Sequence, residues 1–561
     1  MKTGQRYGLG KVLLLKKRII LMMQKRNAIC FLGIVMVIGL ITAFSYGFYL
    51  DEDNEQRILY SNIKEYLIQF GAEDAAFVKE MTDLGLPEIS VFVDRDHGVA
   101  VYYPAFAVWY INQLSPYAGS VFWHIYTWLL VLWGMCSLYF LGRELFRSDW
   151  LAGATVLLFF LTPRMFAESH YNNKDVVLLS MVFSMLYYGF RLMRKPTVKY
   201  ALLLALTGAL ATNMKIVGAW TFGIVGLYCL FFFLAKKKWN RKILGLALLC
   251  VCSWAAIYLL LTPAAWKDIG AFLEYLISYA ADYSLWHEYV LYGGKMIHQE
   301  YTGMPRKYLP VMMLLTIPVG ILVLAVVGGT VVMYRLFRYK RWWDEEGYIC
   351  LALVNGLVPL IYAVLAATPI YNGWRHFYFV YASVILAAGY GCYCLWKLAG
   401  KHGRKKLIKC LGAVYFAGLF AGIVVNHPQE HCYYNFLAGD DVVERYELDY
   451  WDLSAKQALE RISRDIGEGN SGTVGVMNHP TLWGVQGNYR VQKKSIKKKI
   501  KLIESCEKWR EAEYVIVNTT YAVMYNKEEY EEIKNTHELV DDICSYGNPI
   551  CEIYRNAGLY D

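Results

Sequence analysis

Charge is what this chain has least of. Asp, Glu, Lys and Arg make up 19% of its 561 residues against 57% hydrophobic, and mean hydropathy is +0.28, a balance that excludes an ordinary soluble enzyme. No two of its thirteen cysteines are spaced CxxC. Most fall inside apolar runs, Cys136, Cys229, Cys250, Cys252, Cys392 and Cys394 among them, so neither a zinc site nor a disulfide framework is signalled. Cys544 and Cys551 could pair across a hairpin, and two free thiols read equally well. Internal hydropathy repeats and charges at mid-span, which a transporter or lipid-carrier flippase would carry, are not found either.

What the chain has instead is apolar runs. Segments of the length that crosses a hydrocarbon core as helix, about 18–22 residues, recur from residue 28 to about 425 and then stop. The net charge of +10 does not point to nucleic acid, because Lys and Arg cluster in short loops between these runs, where a membrane topology accounts for them.

The first run, AICFLGIVMVIGLITAFSYGFYL (28–50), follows a basic stretch and exceeds the ~7–15 residues of a signal-peptide core. It reads as an uncleaved anchor with a cytoplasmic basic N-terminus (1–27). Further spans are expected near 119–142, 150–163, 175–192, 199–212, 216–234, 243–262, 309–334, 347–368, 376–396 and 407–425, eleven in all. This count puts the basic loops RELFR, RLMRKPTVK, KKKWNRK, RLFRYKR and KLAGKHGRKK inside, as the positive-inside bias requires. It also makes 99–114 an interfacial amphipathic helix within a first outer loop, 50–118. Residues 28–426 then form the transmembrane domain and 427–561 an extracytoplasmic α/β domain. The latter should have helices near 454–466 and 527–535, strands near 473–477 and 514–518, a solvated basic helix over 493–509, and a final Cys-containing strand pair.

Four polar stretches fall on the outer side: LDEDNEQR (50–57) and its continuation, TPRMFAESHYNNKD (162–175), the loop 263–308, and YNGWRHF (371–377). Asp51, Glu52 and Asp53 follow the first span directly, either as a solvated acidic loop or as the source of a general base. Asp175 opens a helix, where an N-cap Asp is common, but His170, Asn172, Asn173 and Lys174 add more hydrogen-bonding capacity than a turn requires. Arg375 and His376 begin a span, where snorkelling would hold them; a phosphate ligand would use the same residues.

Taken in order, DEDNEQR, DRDHGVAVYYP (94–104, with His97), TPRMFAESHYNNKD, PRKYLP (305–310), YNGWRHFYFVY (371–381), HPQEHCYYNFLAG (427–439) and YELDYW (446–451) resemble bacterial members of glycosyltransferase family 39. That family belongs to the GT-C class, with the protein O-mannosyltransferases and lipid A aminoarabinose transferases. The resemblance implies an inverting transferase in the bacterial cytoplasmic membrane. It would move one sugar from a polyprenyl-phosphate carrier to an acceptor hydroxyl on protein, lipid or glycan at the outer face. Its ionised phosphate leaving group needs cations rather than an acid, and the hydroxyl needs a carboxylate base. Carried over, Asp51 is the base, with Glu52 beside it, and Asp175 orients acceptor or base. Arg375 and His376 are the phosphate ligands, with Arg164 and Lys174 in reserve. No metal is entered, although the extra acids Asp53 and Glu55 would suit a divalent cation. Acceptor capture is the role expected of the C-terminal domain.

Overall fold

The computed structural model describes residues 26–281, 289–298 and 303–556; nearly all of the basic N-terminus lies outside them. All eleven predicted spans meet helices, but the first, expected over 28–50, is helical only to Thr42, and residues 43–50 leave the helix. Eight described helices, from Pro116–Phe146 to Lys405–Asn426, are long and apolar enough to cross a membrane, and a bent pair makes up to nine. Arg26–Thr42 and Val198–Met214 are apolar but shorter. The chain is a multi-pass membrane protein. Burial separates hub from rim: Asp175–Arg194 is buried along most of its length, whereas Lys405–Asn426 buries only Ile423 and turns the rest of its apolar surface outward. An outward surface of that kind suits lipid.

Two predicted spans are interrupted, both at proline. Helix Asp149–Phe160 turns by 75° into Pro163–Tyr171. Pro163, at the first turn of the second helix, lacks an N–H and holds Thr162 extended. The span expected at 309–334 divides into Tyr308–Thr316 and Val319–Tyr339, with Ile317 extended before Pro318. The stretch TPRMFAESHYNNKD is therefore not a loop. Residues 163–171 are a helix buried at every position, and only Asn172 to Lys174 link it to Asp175–Arg194.

The expected interfacial helix is also different. A 3-10 turn over Ala100–Ala107 leads into the short helix Val108–Leu114. Tyr102 packs against Trp123 at 4.5 Å and bonds Thr127 at 2.8 Å, so it belongs to the core rather than to an aromatic belt.

A hairpin of β1 (Tyr289–Tyr292) and β2 (Lys295–His298) precedes the C-terminal domain. The domain is built on β3 (Gly472–Val476), β4 (Ile500–Leu502), β5 (Tyr514–Asn518), β6 (Glu538–Ser545) and β7 (Asn548–Arg555), in the order β4-β3-β5-β7-β6. β3 is parallel to β4 and β5; β7 is antiparallel to β5 and β6. Helices Ser454–Asp465 and Lys527–Thr536 lie where the periodicity put them. The basic run does not form one helix: Lys494–Lys499 is helical, then Ile500 and Leu502 alternate with Lys501 to make edge strand β4. Cys544 and Cys551 are free thiols.

This domain is fastened to the residues that follow the first helix. Asn488 brackets Phe48, accepting from its N–H and donating to its carbonyl, both at 2.9 Å. Lys456 donates to the carbonyls of Phe44, Ser45 and Tyr46 at 2.9–3.0 Å. Leu50 N–H bonds Trp451 O at 3.2 Å. Residues 44–50 are thus held from outside the helix bundle, and their fixed path sets where Asp51 points.

Candidate functional site

Segments from the first loop, the 172–175 link, the turn at 215, the 371–376 stretch and the C-terminal domain meet around one cavity of about 380 Å³. Asp51 borders it. It precedes helix Glu52–Gln69, yet its carboxylate makes no capping bond. Instead Oδ2 accepts from Arg375 Nη1 at 3.2 Å. The Arg375 guanidinium lies over the rings of Trp451 at 4.6 Å and Tyr371 at 5.1 Å, which fixes its plane by cation–π contact.

Two more cations face the same space. Lys174 pairs with Glu55, and Lys215 pairs with Asp175. Burial works against the Lys174 ammonium, but Glu55, Asp94 and Asp51 outweigh it and hold its pKa well above the ordinary range. For Lys215 burial wins: Asp175 restores only part of the loss, Lys174 and Arg375 add repulsion, and its pKa is lowered. Asp94 also borders the cavity and accepts from Asn54 at 2.8 Å. Burial opposes its charge, yet the bond from His97 and the field of Lys174 keep its pKa well below the usual carboxylate range.

Asp175 is not a capping residue. Asn172 does that work, its Oδ1 accepting from Asp175 N–H at 2.8 Å while its Nδ2 donates to Asp175 at 3.2 Å and to Glu168 at 2.6 Å. Asn173 donates to Glu55 at 3.0 Å and accepts from Tyr49 at 3.2 Å. The link 172–174 therefore presents Lys174 while its two amides lock the neighbouring carboxylates.

Of the residues singled out in the sequence, Asp51, His97, Asn172, Asn173, Lys174, Asp175, Arg375 and His376 border the cavity. Three do not. Glu52 is buried and accepts from Ser120 at 3.2 Å and Gln56 at 3.3 Å, with His124 Nε2 also at 3.3 Å, because one step along the helix turns it into the bundle. His170 stacks on Trp128, centroids 4.9 Å apart, and contacts Thr42 Oγ1 at 3.0 Å, joining the first helix to the bundle. Arg164 reaches the cavity only through Tyr450, to whose hydroxyl it donates at 3.2 Å.

The acidic run disperses rather than converging on one point. Asp53 goes to Arg490 at 2.6 Å, Glu55 to Lys174, and Glu52 to the bundle. Among the described residues one trio has metal-ligand geometry, His431, Cys432 and Asp449, all buried. Within it Asp449 contacts His431 Nε2 at 2.9 Å and accepts from the N–H groups of Leu453 and Ser454, while the buried His431 Nδ1 has no hydrogen-bond partner among the described residues.

Asp94, Lys215 and Glu447 border the cavity without having been expected there, and Glu55, considered only as an extra acid, borders it too. Lys215 had a readable signal, a lysine in a three-residue outer turn against the positive-inside bias. Glu447 stood inside a quoted motif, YELDYW, but nothing local distinguished it from Asp449.

Comparisons with known proteins bear on this arrangement. Residues 103–277 match the family model of dolichyl-phosphate-mannose-protein mannosyltransferase. The resemblance to family 39 is borne out over that stretch, which includes Lys174, Asp175 and Lys215 but not Asp51, Arg375 or Glu447. No curated protein matches the sequence. A crystal structure of ArnT from Cupriavidus metallidurans bound to undecaprenyl phosphate aligns with 94% of this chain and 97% of its own, at 12% identity and a TM-score of 0.42.

Proposed function

We propose that this glycosyltransferase-like membrane protein transfers one sugar from a polyprenyl-phosphate carrier to an acceptor hydroxyl, in the cavity that Asp51 and Arg375 border. One observation carries the reading: a carboxylate unused in capping lies 3.2 Å from a guanidinium, with Lys174 and Lys215 bordering the same cavity. The family match over residues 103–277 supports it.

In this mechanism the phosphate of the donor is held by Arg375 and Lys174, with Lys215 next to them. Each cation already has a carboxylate partner, so an entering phosphate exchanges with that partner. The exchange at Arg375 has a second effect. When phosphate oxygens take the guanidinium, Asp51 Oδ2, which otherwise accepts from Arg375, is free to accept from the acceptor hydroxyl, just when its proton has to be removed. The acceptor oxygen attacks the anomeric carbon, its proton passes to Asp51, and the C–O bond to phosphate breaks with the electron pair leaving on the carrier. One displacement inverts the centre, and no covalent enzyme intermediate is needed. A transporter reading has no comparable support, since the charged cluster lies at helix ends and links.

We place the cavity at the outer face, with the C-terminal domain extracytoplasmic, on the loop-charge bias. The test is cleavage of a panel of polyprenyl-phosphate sugars by purified protein, read as free sugar. Asp51→Asn should lower kcat by about 10²–10⁴-fold with donor still bound, and Arg375→Ala should weaken donor binding. Wild type that neither binds nor cleaves any member refutes the reading.

A further inference from the structure

A second cavity, about 970 Å³, opens beside the first. The two share Leu50, Asp51, Asn54, Val93, Asp94 and Trp483, and Asp51, with 40% of its side chain exposed, sits where they join. Every residue bordering the second cavity comes from 48–57, 87–94 or the helix His479–Arg490 of the C-terminal domain, and none from a membrane-spanning helix.

The two chambers differ in chemistry. Lys174, Lys215 and Arg375 border only the first. In the second, Arg490 is occupied by Asp53. The second chamber lacks those cations and keeps the indole of Trp483, 59% exposed, which also borders the first. The polar residues Asn54, Arg57 and Gln486 border the same chamber, together with the apolar Pro87, Val91, Phe92 and Val93. A large exposed aromatic in a cavity that also carries amide and guanidinium groups is matched to a ligand with one apolar face and a polar rim. A pyranose ring is built that way: its axial C–H groups form a flat face and its hydroxyls the edge.

Direction points the same way. In a single displacement the acceptor oxygen approaches the anomeric carbon from the side opposite the leaving phosphate. With phosphate on the cations of the first chamber, the acceptor has to reach Asp51 from elsewhere, and the second chamber opens onto that carboxylate. A bilayer lipid would need a lateral opening between spans, and no span borders this chamber. A peptide added as a strand would need a sheet edge, and none of the described strands contributes to it.

We infer, resting on the transferase reading above, that the second cavity receives the acceptor, that the acceptor is a water-borne saccharide chain, and that Trp483 is the platform for its sugar ring. The C-terminal domain then supplies acceptor specificity directly, through one face of the helix His479–Arg490.

The test uses full-length protein in nanodiscs with whichever polyprenyl-phosphate sugar the wild type cleaves. Acceptor probes are hexaoses of N-acetylglucosamine, glucose and mannose, a Ser/Thr-rich peptide, and diacylglycerol in the disc. Transfer to a hexaose is expected. Trp483→Ala should raise the hexaose KM about tenfold more than it moves the donor KM, Trp483→Phe should recover most of that loss, and the groove-filling Gln486→Trp should act like Trp483→Ala. Transfer to peptide or diacylglycerol, donor cleavage with transfer to no probe, or equal movement of both KM values in Trp483→Ala overturns the inference. Absence of donor cleavage in wild type strikes the transferase reading instead.

Discussion

Glu447 should make donor binding depend on pH in a way that one substitution isolates. It is buried, borders the first cavity, and its Oε2 has no hydrogen-bond partner among the described residues. Burial pushes its pKa up to about 8, against the pull of the Leu291, Gly373 and Asn372 amides and the Arg375 guanidinium. At pH 7 the carboxyl is therefore mostly protonated and can donate to a phosphate or sugar oxygen. A polyprenyl-phosphate sugar is a phosphodiester with no titration of its own near neutrality. If donor binds the protonated form, its apparent Kd grows with the ionised fraction and should be about tenfold weaker at pH 9 than at pH 7. Glu447→Gln keeps the shape and a donor group without the charge, so the part of that loss due to Glu447 should disappear. Stability carries the same signature. Because the folded-state pKa lies above the ordinary 4.5, the contribution is fully present below about pH 4.5 and lost as pH rises through about 8, on the order of 5 kcal/mol in all. Glu447→Gln should thus melt above wild type at pH 8 and level with it at pH 5. Equilibrium binding of a fluorescent polyprenyl-phosphate sugar and thermal melts across pH 5–9 measure both effects. A wild-type Kd flat from pH 7 to 9, or a Gln variant that declines as steeply as wild type, refutes the reasoning.

Lys174→Met strands Glu55, whose side chain is 1% exposed, and should cost about 3–5 kcal/mol. Adding Glu55→Gln should restore much of the melting temperature but not donor binding, a double-mutant cycle read by thermal shift and Kd. Gly487→Ala would set its Cβ 2.4 Å from the Phe48 ring; a loss of about 1–3 kcal/mol with a fall in kcat is expected, because Phe48 lies three residues before Asp51. Lys456→Ala removes the donor to three carbonyls after the first helix. It should lower the melting temperature by the equivalent of about 1–3 kcal/mol and raise proteolysis between residues 44 and 50.

The helices were legible because lipid enforces a simple code: a run of Leu, Val and Phe of sufficient length has few other fates. The breaks at Pro163 and Pro318 were less so, since hydropathy averages over them. The polar stretch at 162–175 was read as a loop because its composition is that of a surface. It folds as buried helix because Arg164, Glu168 and Asn172 find partners in Tyr378 and Tyr450 and in one another. Such satisfaction comes from segments more than two hundred residues away and leaves no local trace.

The site divides along the same line. Asp51, Lys174, Asp175 and Arg375 were found because each is an ionisable group at a span end, where lipid makes charge costly and hence informative. Glu52 shares that position and composition with Asp51. Only the 100° step of a helix separates a carboxylate facing the cavity from one buried against His124 and Ser120, and a sequence with no fixed register for that helix cannot choose between them. The register is set jointly by Trp123 and Asn173 on Tyr49 and by contacts from the far end of the chain, Asn488 on Phe48 and Trp451 on Leu50. The C-terminal domain is therefore part of the site's construction as well as one of its walls. Loosening it, as Lys456→Ala and Gly487→Ala do, should disturb Asp51 before it disturbs the helix bundle.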